Sequence, residues 1–508
     1  MAAALAGLGS LTACRQDGVA PEPTAAPPSA EALRTAPSRW TTLEGFYSQQ
    51  LDWSDCTGGG LGGMRCAALA VPIDYADPAG GMLRLAVARL AGKESTGSLV
   101  INPGGPGISG LASLAFVNGR MPMRLTDALD LVGFDPRGVG LSAPIDCLDN
   151  AELDRLEAFD ADGSTAEGLA AAAAMWEEFA LGCAEKTGPL LAHVDSVSAA
   201  RDLDVLRAAL GEEQLTYLGF SYGTYLGATY AALFPARVGR MVLDGGVDPK
   251  LTPFQENVEQ AGGFESALRA YATYCLGLEE CPLMGSVDEA MARIGAVLNQ
   301  LRSRPPGVAG GRVMTANLAF SGVRVTLNSE ESWPYLTDAL VGMLEEENPG
   351  LLLELADVSS GRGPDGVYAS NSVEALWAIT CADGRGDPDP AAMRAEAEEI
   401  ARAAPTVWRH FSWKALRCEA WPYPAAEPPA SWAAKGAAPI VVIGTTNDPA
   451  TPYVWSQRLA DTLDSAVLVT REGEGHCGYL RGSTCVDPLV TEYLLDGVVP
   501  RDGSVCTP

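Results

Sequence analysis

The chain has 508 residues, of which 47% are apolar, so its length and composition suit one large α/β core with an insertion. It carries 35 Lys and Arg against 64 Asp and Glu, a net charge of −29, which argues against nucleic acid or an anionic membrane surface as a partner. The sequence contains three histidines, no H-E-x-x-H, no C-x-x-C and no G-x-x-x-x-G-K-[ST] phosphate loop. We therefore expect neither a metal nor a cofactor.

The chain begins with an apolar run of twelve residues, 2–13, which is too short to span a bilayer and suits a signal sequence. The run ends in Leu-Thr-Ala-Cys at residues 11–14, a pattern that resembles a bacterial lipobox. We predict a signal segment over residues 1–14, a lipid on Cys14 as the membrane contact, and a location in the cell envelope outside the cytoplasm, lipid-anchored or secreted. Residues 15–40, rich in Pro and Ala, are predicted to be a linker. The alternative is an N-terminus that carries a chance cysteine.

Twelve cysteines in an exported chain indicate disulfides. If Cys14 carries lipid, eleven remain, and neighbours in sequence make plausible pairs. The predicted pairs are Cys56–Cys66, Cys147–Cys183, Cys275–Cys281, Cys381–Cys418 and Cys485–Cys506, with a Cys477–Cys485 pair as the competitor at the C-terminus.

Short apolar runs that read as strands alternate with helical patterns along the chain. The predicted strands are 83–90, 98–101, 129–134, 215–219, 240–244, 439–443 and 466–470. A helix is predicted over 198–210 with Ser198 as its N-cap, and another from Tyr222. This alternation predicts an α/β fold with a mostly parallel sheet flanked by helices.

Residues between 244 and 439 lack this strand–helix alternation and show helical patterns at 287–302 and 334–347. They predict a helical cap inserted into the core. We divide the mature chain into a first core part at 41–250, a cap at 251–430 and a second core part at 431–508.

The segment Gly219-Phe220-Ser221-Tyr222-Gly223 matches G-x-S-x-G between an apolar strand and a small-residue helix, the setting of a nucleophilic serine. A serine needs a neighbouring base, and His476, in a loop after a strand, is the candidate. Asp448 follows strand 439–443 and is predicted to orient that histidine. The order Ser, Asp, His is that of α/β-hydrolases.

The predicted oxyanion hole combines the backbone N–H of Tyr222 with one from the loop after strand 98–101. Pro106 has no N–H, so Gly105 is the candidate and Gly104 the next. The same loop also satisfies G-x-G-x-x-G at residues 105–110. A dinucleotide site is therefore a distant alternative, although it leaves Ser221, Asp448 and His476 unexplained.

These motifs, with Pro103-Gly104-Gly105-Pro106-Gly107 and the run Asp-Pro-Arg-Gly-Val-Gly-Leu-Ser at residues 135–142, resemble the tripeptidyl aminopeptidase and proline iminopeptidase family of α/β-hydrolases. The resemblance covers nearly the whole chain after residue 40. It implies a serine exopeptidase that acts on peptides with a free N-terminus. The sequence departs from the family at Asn102-Pro103, where iminopeptidases usually have a histidine, and at Cys477, where glycine is common.

An aminopeptidase must hold a substrate ammonium, and Asp383 and Glu374 near the end of the cap are the candidate carboxylates. Ordinary solvated or ion-paired acids are the alternative for both. Within the hydrolases, a carboxylesterase of the same fold is the rival function. A lipoprotein that binds peptides without catalysis is the more distant one, and it would not need an ordered Ser, Asp and His.

Overall fold

The computed structural model describes residues 41–56 and 61–507, so Cys14, the signal segment and the linker lie outside the described residues. A single ten-stranded sheet runs through the core in the order β1-β2-β3-β5-β4-β6-β7-β8-β9-β10. The strands are β1 Ser54–Asp55, β2 Arg65–Pro72, β3 Met82–Leu90, β4 Ser98–Asn102, β5 Asp130–Phe134, β6 Leu215–Phe220, β7 Val238–Asp244, β8 Ile440–Asn447, β9 Ala466–Glu474 and β10 Ser504–Cys506. The first three form an antiparallel edge against β5, and from β5 to β10 all neighbours are parallel.

Helices cover both faces of this sheet. The α-helices are α1 Leu43–Tyr47, α2 Gly110–Asn118, α3 Met123–Ala128, α4 Asn150–Ala158, α5 Ala166–Lys186, α6 Ser196–Ala209, α7 Tyr222–Leu233, α8 Pro253–Cys275, α9 Val287–Ser303, α10 Ala316–Leu327, α11 Trp333–Glu345, α12 Gly350–Ser360, α13 Ser372–Asp383, α14 Pro390–Ala403, α15 Trp408–Phe411, α16 Tyr453–Thr462 and α17 Val486–Asp496. Alternate residues of β4 serve opposite faces, with Val100 packed in one apolar cluster and Leu99 and Ile101 in the other. The α/β-hydrolase fold with a mostly parallel sheet, predicted from the sequence, is confirmed.

A separate apolar cluster joins α8 to α12 with residues 400–411, and it forms the interior of the inserted helical unit. Helix α13 behaves differently, because Val373, Ala378 and Ile379 pack in the cluster on the hydrolase sheet. The helix that carries both candidate ammonium-binding acids is therefore anchored on the core.

Helix α6 begins earlier than predicted. Asp195, not Ser198, is its N-cap, and the Asp195 carboxylate accepts the Ser198 backbone N–H at 2.8 Å. The charged Asp195 carboxylate is a stronger hydrogen-bond acceptor than a serine hydroxyl, and it lies three residues before the N–H that it accepts. The helical spacing of the leucines does not reveal this capping contact.

The five predicted disulfides are all present: Cys56–Cys66, Cys147–Cys183, Cys275–Cys281, Cys381–Cys418 and Cys485–Cys506. Cys477 is a buried thiol whose Sγ lies 3.7 Å from the carbonyl oxygen of Asp244. Across residues 41–56 and 61–507, no helix is both long and apolar enough to cross a membrane.

Candidate active site

Ser221 lies on a sharp turn between β6 and α7, in left-handed backbone geometry with φ +54°. A Cβ on Gly219 would lie 2.4 Å from the carbonyl oxygen of Gly223, and one on Gly223 would lie 2.8 Å from that of Asn102. Both flanking glycines are therefore needed for the turn to close. The turn leaves Ser221 partly exposed above the carboxyl ends of the parallel strands.

His476 and Asp448 form a buried pair at the same edge of the sheet. Nδ1 of His476 lies 2.9 Å from each carboxylate oxygen of Asp448. The pairing holds the proton on Nδ1 and leaves Nε2 as the basic nitrogen. The Asp448 carboxylate also accepts the backbone N–H groups of Ala450, Thr451 and Cys477 at 2.9–3.1 Å, which fix its orientation.

Sequence reasoning missed Thr451 and Asp244, which support this pair. The Thr451 hydroxyl lies 3.1 Å from Oδ2 of Asp448 and 3.4 Å from Nδ1 of His476. Thr451 follows Asp448 by three residues in a turn closed by the Asp448 side chain, so the Asp-x-x-Thr spacing is a local signal for this contact.

Asp244 ends β7 and is fully buried. Its carbonyl accepts the backbone N–H of Ser221 at 2.8 Å, and its carboxylate accepts those of Gly478 and Tyr479 at 2.8 Å each. Burial raises the pKa of Asp244 to about 6. The next residue, Gly245, is so close to the histidine that a Cβ there would lie 3.2 Å from Cε1 of His476. The end of β7 therefore joins the serine turn to the histidine loop.

The loop after β4 approaches the serine turn from the other side. A Cβ on Gly104 would lie 3.1 Å from Cβ of Ser221 and 3.4 Å from the backbone nitrogen of Tyr222. The N–H of Gly104 already donates to Oδ1 of Asn102 at 2.9 Å, which favours the N–H of Gly105 as the second oxyanion donor. Tyr222 is the first residue of α7, where backbone N–H groups point out of the helix and carry partial positive charge.

A hydrogen-bonded chain runs from Asp383 to the residue after the serine. The Asp383 carboxylate accepts the backbone N–H of Ser196 at 2.7 Å and its hydroxyl at 2.6 Å. The Tyr222 hydroxyl lies 2.5 Å from Oγ of Ser196 and donates to it, because the Ser196 proton points to Asp383. Burial, and then the negative charge of Asp195, raise the pKa of Asp383 to about 7. Asp383 as a whole residue is partly exposed and is the last residue of α13.

Glu374 occupies a different position on the same helix. Its Oε1 accepts the backbone N–H groups of Cys147 and Leu148 at 2.6 and 3.0 Å, and burial raises the pKa of its carboxyl. Nine residues separate it from Asp383, about 13 Å along an α-helix. Glu374 therefore holds the chain that follows β5, and the structure does not bring it together with Asp383.

The other two histidines lie in packed surroundings. The His410 ring stacks on Phe320 with the ring centroids 4.4 Å apart, and burial, with the charges of Arg302 and Arg409, lowers the pKa of His410 to about 3. The carbonyl of His193 accepts Nη1 of Arg137 at 2.8 Å. Among the residues that the structure describes, no three His, Cys, Asp or Glu side chains are grouped to hold a metal ion.

A serine on a strained strand-to-helix turn, with a histidine held by a buried carboxylate at the same edge of a parallel sheet, is the arrangement of an α/β-hydrolase. The α/β-hydrolase fold family matches residues 97–336, and the TAP-like protein family matches residues 404–506. Serine protease Hip1 of Mycobacterium tuberculosis is 37% identical over 492 residues, 93% of this chain and 94% of the relative. Carboxylesterase B of the same organism is 37% identical over 500 residues, 96% and 95% of the two chains.

Tripeptidyl aminopeptidase of Streptomyces lividans is 32% identical over 471 residues, which cover 90% of this chain and 87% of the relative. The chain therefore belongs to the tripeptidyl aminopeptidase family of serine peptidases. This confirms the resemblance drawn from the motifs and removes the dinucleotide alternative for the loop at 105–110.

Proposed function

We propose that this protein is a serine exopeptidase that removes short N-terminal pieces, tripeptides included, from peptides with a free N-terminus. The observation that carries the proposal is the carboxylate of Asp383, a partly exposed residue that is linked through Ser196 to Tyr222, the residue after the proposed nucleophile. A carboxylate at that point suits the ammonium group of a peptide whose scissile carbonyl lies over Ser221.

In the proposed mechanism, Nε2 of His476 takes the proton of Ser221 as Oγ attacks the scissile carbonyl carbon. The oxyanion that forms accepts the backbone N–H groups of Tyr222 and Gly105. His476 then gives its proton to the departing amine, and the N-terminal piece remains as an ester on Ser221. Water, deprotonated by His476, hydrolyses that ester and restores the serine.

The raised pKa of Asp383 fits a site that binds an ammonium group. A carboxyl group with a pKa of about 7 is only partly ionised near neutral pH, and an ammonium group beside it stabilises the ionised form. Ser196 occupies one face of the carboxylate and fixes its orientation. Glu374, the other candidate acid, is buried and holds the backbone of Cys147 and Leu148, whereas Asp383 is linked through Ser196 to Tyr222, which favours Asp383 for the role.

A carboxylesterase of the same fold is the second candidate function. It is favoured by the 37% identity to Carboxylesterase B, because a Ser-His-Asp site can also hydrolyse esters. Ester substrates without an amine have no use for Asp383, so this residue separates the two functions.

The deciding experiment compares a free with an N-acetylated tripeptide chromogen, on the wild type and on Asp383→Asn. Acetylation removes the charge pair and leaves the Asp383 carboxylate without a charged partner, a cost of about 2–5 kcal/mol, or roughly a 30- to 4,000-fold fall in kcat/KM. Asp383→Asn should lose activity on the free peptide and change little on the blocked one. Asp461→Asn, an exposed aspartate on α16, is the matched control.

If blocking the amine costs nothing, the aminopeptidase function is wrong and the esterase takes its place. If blocking costs heavily while Asp383→Asn does not, another acid holds the ammonium.

We further propose that the protein is anchored in the cell envelope by a lipid on Cys14. The proposal depends on the sequence alone, since Cys14 lies outside the described residues. Cys14→Ser should move the full-length protein from the membrane to the soluble fraction, and an unmodified Cys14 in the mature protein would exclude the anchor.

A further inference from the structure

The end of helix α10, in the inserted helical unit, contacts the loop that carries His476. Asn328, the C-cap of α10, accepts the backbone N–H of His476 on its carbonyl oxygen at 2.9 Å. Carbonyl groups at the C-terminus of a helix have no partner within the helix and carry partial negative charge, so the N–H of His476 supplies a donor that this helix end needs. The proposed base is therefore held by its backbone from the inserted unit, and by its side chain from Asp448.

Arg481 joins the same two residues. Its Nη2 donates to the carbonyl of His476 at 2.6 Å and to the carbonyl of Asn328 at 3.2 Å. A guanidinium group near a helix C-terminus is favoured by the partial negative charge of the last carbonyls. The backbone N–H and the backbone carbonyl of His476 are both fixed in this way, the first by Asn328 and the second by Arg481.

The residue before the histidine allows the helix end to come this close. Gly475 has φ +96°, in the region that favours glycine. A Cβ at Gly475 would lie 2.8 Å from the carbonyl oxygen of Asn328 and 3.4 Å from Cα of Ser329. A side chain at this position would therefore push the end of α10 away from the loop that carries His476.

A second helix of the inserted unit contacts the segment that carries Asp448. Nε2 of Gln260, on α8, donates to the carbonyl of Ala450 at 2.9 Å. Gly263, on the same helix, lies against this segment, because a Cβ there would lie 2.8 Å from the carbonyl oxygen of Pro449. The segments of the proposed base and of the carboxylate that orients it are therefore both in contact with the inserted unit.

We infer that Arg481 is a positioning residue for the proposed base, and that the C-terminal end of α10 is the second support of His476. The inference deepens the proposed function, on which it rests, because it gives the inserted unit a part in proton transfer between Ser221 and His476. Without Arg481 the buried carbonyl of His476 loses this donor and the loop shifts. The position of Nε2 relative to Ser221 then changes, which lowers the rate of the chemical step rather than the affinity for the peptide.

The test compares Arg481→Gln with the wild type on the free and the N-acetylated tripeptide chromogen. We expect kcat to fall roughly tenfold or more on both substrates with KM nearly unchanged, because misplacing a catalytic group slows the chemical step. Arg481→Lys should recover part of the loss, since an ammonium group still donates to a carbonyl. The preference for the free over the blocked peptide should stay that of the wild type, which separates the role of Arg481 from that of Asp383.

Arg458→Gln is the matched control, because Arg458 also joins the core to the inserted unit. Its Nη1 lies 2.9 and 2.8 Å from the two carboxylate oxygens of Glu259 on α8. Both arginines are partly exposed, and thermal unfolding midpoints verify the fold of each variant. Arg458→Gln should keep the wild-type kcat. If it lowers kcat as much as Arg481→Gln does, the effect comes from loosening the inserted unit as a whole, and the positioning role of Arg481 is wrong.

Failure of the positioning role and failure of the proposed function give different results. A fluorophosphonate labels Ser221 when Oγ displaces fluoride from phosphorus, a step that uses the base and needs no peptide. If the wild type is labelled but cleaves no peptide, and Arg481→Gln is labelled more slowly, the exopeptidase function is wrong and the positioning role stands. If the wild type cleaves the free peptide, while Arg481→Gln keeps the wild-type kcat and labelling rate, the positioning role alone is overturned.

Discussion

The backbone N–H of Ser221 donates to the carbonyl of Asp244 at 2.8 Å, while the carboxylate of Asp244 accepts the N–H groups of Gly478 and Tyr479. One residue at the end of β7 therefore fixes both the serine turn and the loop that carries His476. The relative position of the proposed nucleophile and base depends on this buried side chain as well as on the strands.

Asp244→Asn should lower kcat by about tenfold or more and leave KM nearly unchanged, because an amide presents its NH₂ group to a backbone N–H that needs an acceptor. The histidine loop would shift while the substrate pockets stay. Steady-state kinetics on a tripeptide chromogen, with the thermal unfolding midpoint, measure the effect. A KM change without a kcat change would contradict the positioning role.

Ser221→Ala and His476→Ala should each reduce kcat by several orders of magnitude, and the double variant by little more, since the two residues act as a unit. The fold should persist, because Ser221 is small and partly exposed. Near-full activity in either single variant would remove that residue from the catalytic role.

The sequence predicted Ser221, Asp448 and His476 because each follows a buried strand, and the carboxyl ends of parallel strands meet at one edge of a sheet. The contact between Asp383 and Ser196 could not be predicted, because it joins residues 187 apart where the end of α13 meets the start of α6. Asp244 was identified only as a strand residue. Its acidic side chain at the end of an apolar run was the available signal, but its hydrogen-bond partners come from a distant loop.

The pKa of about 7 at Asp383 predicts how substrate affinity changes with pH. As pH rises from 5 to 7 the carboxyl ionises while the peptide's α-amino group, whose ordinary pKa is about 8, stays protonated, so KM for a free-amine peptide should fall. The N-acetylated peptide is the control, since it reacts at the same catalytic residues but does not use the contact with Asp383. In Asp383→Asn the two substrates should show the same pH dependence of KM, and a remaining difference would place the titrating acid elsewhere.

The same raised pKa predicts a change in stability. The folded state holds the Asp383 proton more tightly than the unfolded chain, whose ordinary value is 3.8. The stabilising contribution of that proton is complete below about pH 4 and is lost as pH rises through about 7. Asp383→Asn should therefore raise the thermal unfolding midpoint relative to the wild type more at pH 8 than at pH 4. Calorimetry at both pH values measures this, and a pH-independent difference would contradict it.

The disulfide Cys381–Cys418 should support both stability and substrate binding. It closes a loop of 37 residues, and loop-closure entropy predicts that the double Ser variant loses about 3–4 kcal/mol of unfolding free energy. Cys147–Cys183, with a sequence separation of 36, is a matched control, because the same entropy argument gives it nearly the same cost.

Only the Cys381–Cys418 pair joins the end of α13 to the turn that carries Lys414 and Arg417. Its removal should therefore raise KM for free-amine peptides, while removal of the second should lower stability with little effect on KM. Denaturant unfolding and steady-state kinetics on both double variants separate the two effects, and an equal rise in KM in both would show that the disulfide acts on the whole fold rather than on the site beside Asp383.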